Sequence, residues 1–128
     1  MSARFLTPVA IGVAIVIGWS CGNPSGQGNG CASTGADVTI STKDNPPSFD
    51  KPSPTITRGQ RVCWQNPGSV AHTVTATSAS PADPSWTDST FDATLNAGGV
   101  AIHTFSSAGL YQYHCRIHPG MTASINVP

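Results

Sequence analysis

Gly and Pro punctuate this chain so often that only short regular elements fit between them; 128 residues include 13 Gly and 11 Pro. The runs they separate are rich in Thr, Ser and Val, which favour strands and turns over helices. All six acidic residues are Asp, so the strong helix former Glu is missing. In Asp37-Val38-Thr39-Ile40-Ser41 apolar and polar positions alternate, as in a half-buried strand. Thr55-Ile56-Thr57 leads through Gly59 into a second such run, Arg61-Val62-Cys63-Trp64-Gln65. Pro67-Gly68 suits a type II turn with φ > 0 at Gly68. Val70 to Thr77 then returns as a strand with Val70, His72 and Val74 on one face. Phe91 to Leu95, the Gly98-Gly99 turn and Val100 to Phe105 form an expected hairpin, and Leu110 to Cys115 and Thr122 to Val127 are the last strands. Asn45 to Pro54 is Pro-rich and belongs in a loop or at a sheet edge, since Pro gives no N–H to a ladder. Seven or eight short strands with turn-marked spacing predict an all-β fold, an antiparallel β-sandwich in one domain.

Charged residues make up 9% of the chain and the formal net charge is zero, which leaves no electrostatic basis for binding nucleic acid. The N-terminal residues 1–20 read as a signal peptide: Arg4 is followed by the short apolar run Val9 to Ile17, shorter than a membrane span needs. Gly18-Trp19-Ser20-Cys21 resembles a bacterial lipobox, whose Cys is acylated after cleavage, although Gly18 stands where that motif usually has Leu. A secretory signal cleaved nearby is the other reading. Both place the mature chain outside the cytoplasm, in the periplasm or on the outer face of a membrane, with lipidated Cys21 as the tether in the first case. Residues 21–35, mostly Gly, Ser and Asn, have a flexible linker's composition. The folded domain is expected over 36–128.

Chemistry concentrates near the C-terminus, where Cys115, His118 and Met121 are spaced Cys-x2-His-x2-Met. A thiolate, an imidazole and a thioether are soft donors, and one Cys with two His and a weak axial Met is the donor set of a type 1 copper site. His72 supplies the second imidazole. Singly, each residue has a plainer reading: Cys115 as a small buried hydrophobe, Met121 as packing, His72 as a hydrogen-bonded core histidine. Zinc also takes Cys and His, but a structural zinc site wants four strong ligands and a thioether is not one. Alternation places Tyr111, Tyr113 and Cys115 on one strand face and His114 on the other.

Over nearly all of residues 36–128 the chain is similar to the cupredoxin family. The resemblance rests on Gly59-x2-Val62-x-Trp64-x-Asn66, on His72-Thr73-Val74, and on Gly109-x-Tyr111-x-Tyr113-His114-Cys115-x2-His118-Pro119-x-Met121. The ligand-loop spacing resembles the amicyanin branch most; plastocyanins and pseudoazurins have longer His-to-Met gaps and azurins a longer Cys-to-His gap. The resemblance implies a Greek-key sandwich of seven or eight strands and one copper per chain. It also implies His72, Cys115 and His118 as the trigonal ligands, with Met121 as a long axial one. Two departures matter. Ile117 stands where amicyanin and plastocyanin have Pro, and its N–H is expected to donate to the Cys115 sulfur. Thr73 replaces the Asn of many relatives, and its hydroxyl is expected to tie the two ligand segments together.

With Cys115 given to copper and Cys21 to lipid, Cys31 and Cys63 remain to form a disulfide; Cys21–Cys31 with Cys63 free is the alternative. Cys63 lies opposite Val62 and Trp64 in its strand and should point away from the core. A His beside the copper Cys relays electrons to a second copper in multicopper enzymes, but this chain has no His-x-His pair for such a centre, so His114 and His103 are expected at the surface. The expected function is that of a monomeric one-electron carrier without enzyme activity. It would meet donor and acceptor redox proteins by weak docking near His118. Copper delivery or storage on the same fold is the alternative.

Overall fold

The structure, a computed structural model, describes residues 30–77, 83–87 and 90–128. The expected signal peptide, Cys21 and most of the linker lie outside the described residues. The described residues form eight strands: β1 (Val38–Asp44), β2 (Pro47–Phe49), β3 (Arg61–Gln65), β4 (His72–Ala76), β5 (Asp92–Leu95), β6 (Val100–Thr104), β7 (Gly109–His114) and β8 (Thr122–Val127). They form two four-stranded sheets, β2-β1-β3-β6 and β5-β4-β7-β8, the sandwich expected from the strand spacing.

One pairing departs from the antiparallel expectation: β1 and β3 run parallel, with Val38 opposite Val62 and Ile40 opposite Trp64. The chain between them has to return to its starting end, as any parallel connection must. It does so along the far edge of the other sheet, where the Pro52 and Pro54 carbonyls accept the Ser124 and Asn126 N–H groups at 2.9 and 3.0 Å. Pro offers a carbonyl and no N–H, so an edge is where it fits.

The expected hairpin from Phe91 to Phe105 is a corner between sheets. β5 pairs with β4, whereas β6 pairs with β3. The turn between them is pinned to the end of β3, Gly98 N–H donating to the Asn66 carbonyl at 2.8 Å and Asn66 N–H to the Gly99 carbonyl at 3.0 Å. A hairpin and a corner both require a turn and a positive-φ residue, here Gly98 at 74°, so local sequence does not distinguish them. The type II turn at Pro67-Gly68 is also corrected, because Gly68 has no positive φ; its N–H is taken by Asn66 Oδ1 at 3.0 Å.

Alternation puts Ile40, Val62 and Trp64 from one sheet against Val74, Tyr111, Tyr113 and Ile125 from the other, all fully buried. Trp86 enters from the connection after β4, stacks on Phe91 at 4.5 Å between ring centroids and donates its Nε1–H to the Gln112 carbonyl. Trp64 and Tyr113 meet edge-on at 5.5 Å. Burial pushes the Tyr113 phenol above its ordinary pKa, and among the described residues neither its hydroxyl nor Trp64 Nε1 has a partner at hydrogen-bonding geometry.

Cys31 and Cys63 form a disulfide, with Cα atoms 5.7 Å apart. Cys63 points away from Val62 and Trp64 as expected, yet it is buried, because the 3-10 turn Gly30–Ser33 covers the outer face of β3. Cys31 N–H donates to Gln65 Oε1 at 3.0 Å, so residues grouped by composition with the linker already pack on the domain. The bridge closes 32 residues of sequence, which constrains the unfolded chain by roughly 3–4 kcal/mol. A Cys31→Ser/Cys63→Ala variant should lose stability of that order in denaturant unfolding while keeping its circular dichroism. A loss below about 1 kcal/mol would show that the closed loop contributes little.

Candidate metal centre

The site is built at one end of the sandwich, where β7 runs out. Tyr111 and Tyr113 point into the core, and the same alternation carries the Cys115 side chain inward just past the strand end, 2% exposed. Cys115 N–H donates to the Met121 carbonyl at 2.9 Å, and Met121 N–H to the His118 carbonyl at 3.1 Å. Gly120, at φ 85°, lets the loop close on itself. His118 is carried on that loop and is half-buried, and Met121 is buried at its end. His72 opens β4 opposite Leu95 and is fully buried. Val70, expected on the same strand face, instead precedes the strand and is 41% exposed.

Cys115 Sγ lies 3.5 Å from His118 Nδ1 and 3.9 Å from His72 Nδ1. All three donor atoms fall within 4.8 Å of one another. Trigonal donors around one ion, with bonds of about 2.0–2.3 Å, sit roughly 3.5–4 Å apart, so the spacing suits a shared metal. One thiolate and two imidazoles, with the thioether of Met121 buried on the same loop, match copper better than zinc. The structure therefore brings His72, Cys115 and His118 together as the sequence spacing suggested.

The sulfur's backbone donor is Thr73 N–H, at 3.2 Å. The bond expected from Ile117 N–H is not among those the sulfur makes; Ile117 lies at the turn of the loop with its side chain 49% exposed. Thr73 does tie the two ligand segments, its Oγ1 accepting Arg116 N–H at 2.8 Å. Thr73 Oγ1 and Thr75 Oγ1 are 3.0 Å apart, and Thr75 Oγ1 is 2.8 Å from Asp92 Oδ1. A carboxylate only accepts, so the Thr75 hydroxyl gives its proton to Asp92 and receives that of Thr73. Asp92 Oδ2 meets Arg116 Nη2 at 2.6 Å. The result is a closed ring from the Arg116 backbone through Thr73, Thr75 and Asp92 to the Arg116 guanidinium. It also explains why Thr73 and Thr75, on the outer face of β4, are buried.

Two histidines complete the picture. His114 faces out from β7 and its Nδ1 is 3.0 Å from Thr77 Oγ1, as expected of a residue outside the site. His103 is corrected: it is not at the surface but 11% exposed, its Nε2 2.9 Å from Asp83 Oδ2 and its ring against Trp86, Phe91 and Phe105. Desolvation raises the Asp83 pKa, but hydrogen bonds from Ser85 and His103 outweigh it and leave the carboxyl below its ordinary value. Sequence reasoning did not single out Asp44. Its Oδ1 lies 3.1 Å from His72 Nε2, and that hydrogen bond, with those from the Ser69 and Val70 N–H groups, holds its carboxyl below the usual range. The residues are 28 positions apart, and a lone Asp before a Pro-rich loop carries no local signal of such a partner.

Thr73→Val removes the hydroxyl and keeps the shape, leaving the Arg116 N–H without its acceptor and the Thr75 oxygen without its donor, while the Thr75 bond to Asp92 stays. Denaturant unfolding of the metal-free protein should show a loss of about 1–3 kcal/mol, with Thr73→Ser close to the parent. Equal stability of Thr73→Val and the parent would mean the ring does not hold the loop.

The profile of the plastocyanin/azurin family of copper-binding proteins matches residues 36–128. Among solved structures, a reduced amicyanin variant superposes with a TM-score of 0.61 at 21% identity, covering 77% of this chain and 90% of its own. A purple cupredoxin from Nitrosopumilus maritimus superposes with a TM-score of 0.59 at 25% identity, covering 72% of this chain and 100% of its own. A search of curated proteins finds no sequence match to this chain. The fold, the convergent thiolate and imidazoles and the family profile agree: the chain belongs to the plastocyanin/azurin family of copper-binding proteins, a blue-copper cupredoxin whose cofactor is a single type 1 copper ion.

Proposed function

We propose that the chain is an extracytoplasmic, monomeric one-electron carrier whose copper is held by His72, Cys115 and His118, with Met121 as the weak axial donor. The observation that carries this reading is the convergence of the Cys115 sulfur and the two Nδ1 atoms within 4.8 Å. Copper bound there supplies a one-electron Cu(II)/Cu(I) couple. The protein's part is to keep the donors in one geometry for both charge states, so that little rearranges when the electron moves. β4 holds His72 from one side, the Thr73 N–H holds the sulfur, and the ring through Asp92 holds the loop.

His118 is the half-buried ligand, and its exposed edge is the proposed electron port. Val70, at 41% exposure, and Ile117, at 49%, lie in the two ligand segments and give that end an apolar character. A small apolar contact on a chain of zero formal net charge suits weak, short-lived encounters with donor and acceptor redox proteins, without strong electrostatic steering. The Cys31–Cys63 bridge supports an oxidising compartment, in keeping with the signal-like residues 1–20 and a tether through acylated Cys21. Among the described residues, no helix is long and apolar enough to cross a membrane.

The optical spectrum of the copper-loaded protein, with and without ascorbate, tests the reading. An intense visible absorption, bleached by ascorbate and restored by oxidation, is expected from a Cys115 thiolate bonded to Cu(II). Cys115→Ser should lose it completely, while Met121→Gln should keep the colour and lower the midpoint potential. Bound copper without that absorption would sink the carrier reading in favour of copper delivery.

A further inference from the structure

Asp44 closes β1 and faces the site from the opposite sheet to His72. Its Oδ2 accepts the Ser69 and Val70 N–H groups at 3.0 and 3.2 Å, and its Oδ1 lies 3.1 Å from His72 Nε2. Gly68 passes so close that a Cβ there would overlap the carboxylate. The contact therefore depends on a glycine as well as on the acid. Among the described residues no Lys or Arg forms an ion pair with Asp44, so its negative charge is directed at backbone N–H groups and at the imidazole.

A neutral imidazole has one N–H. A carboxylate partner only accepts, so that proton sits on Nε2 and the lone pair sits on Nδ1, which is the nitrogen facing Cys115. We propose that Asp44 is the positioning residue of the copper centre, fixing the tautomer and ring orientation of His72 and lowering the reduction potential by making Nδ1 a stronger donor. The inference rests on His72 being a copper ligand, as proposed above. A carboxylate on the far nitrogen of a metal-bound imidazole increases its basicity. The more highly charged Cu(II) gains more from that than Cu(I), and the potential falls with the difference. Among the described residues no carboxylate hydrogen-bonds to His118, so the two imidazoles are unequal: His72 is the electron-rich, fixed ligand and His118 the exposed one.

Asp44→Asn, which keeps the shape and removes the charge, and Asp44→Ala provide the test in the copper-loaded protein. Both should keep the visible absorption, bind Cu(II) about 10- to 100-fold more weakly and lose less affinity for Cu(I), so the midpoint potential rises. Nitrogen-15 NMR of the metal-free protein should show His72 as the Nε2–H tautomer in the parent and as a mixture in Asp44→Ala. A role confined to anchoring residues 68–70 would lower unfolding stability and leave the potential and the tautomer unchanged, and that result overturns the proposal. If the parent protein binds copper without visible absorption, the ligand assignment has failed instead, and the NMR comparison still decides whether Asp44 sets the His72 tautomer.

Discussion

The hydrogen bond from Cys115 N–H to the Met121 carbonyl closes the ligand loop, and the copper end of the protein is organised around that closure. It places His118 in a loop whose ends are Cys115, the first residue beyond β7, and Met121, the last before β8. The two strands stay in register from Gly109 opposite Val127 to His114 opposite Thr122. The sandwich thus transmits its rigidity directly to the sulfur. A longer loop would cost more closure entropy and leave His118 freer to follow changes in the metal's charge.

Around that loop the few charged residues are used sparingly and locally. Asp44 is aimed at His72 Nε2 and Asp92 at the Arg116 guanidinium, so one carboxylate lies behind each ligand segment. The Asp92 charge is compensated by Arg116, whereas that of Asp44 is met by N–H dipoles. The difference matters because an uncompensated charge one hydrogen bond from a metal ligand changes that ligand's basicity, while a paired one mainly fixes geometry. Elsewhere the interior is aromatic, with Trp64, Trp86, Phe105 and Tyr111 filling the centre of the sandwich.

Much of this is legible in the sequence. Period-two alternation correctly sends Tyr111, Tyr113 and Cys115 inward and His114 outward, and of the two cysteine pairings the sequence leaves open, the favoured Cys31–Cys63 bridge is the one that forms. The errors share a cause. The sequence from Phe91 to Phe105 predicts a hairpin because adjacent strands with a glycine turn usually pair, yet β5 and β6 belong to different sheets. His103 looked like a surface residue because nothing local announces that Asp83 and three aromatic rings will enclose it. An N–H at Ile117 suggests a bond to the sulfur, but the course of the loop gives that place to the Thr73 N–H.

The sequence by itself determined the strand character, the inward face of β7, and a donor set in which Cys115, His118 and Met121 lie within seven residues. Those properties follow from local periodicity and side-chain chemistry, which need no partner elsewhere in the chain. Only the tertiary structure decided how close His72 comes to the sulfur, that β1 and β3 would run parallel, and that Asp44 and Asp92 would back the two ligand segments. Each of these depends on packing two sheets face to face. That packing sets distances between residues far apart in sequence, and no short window of residues encodes them.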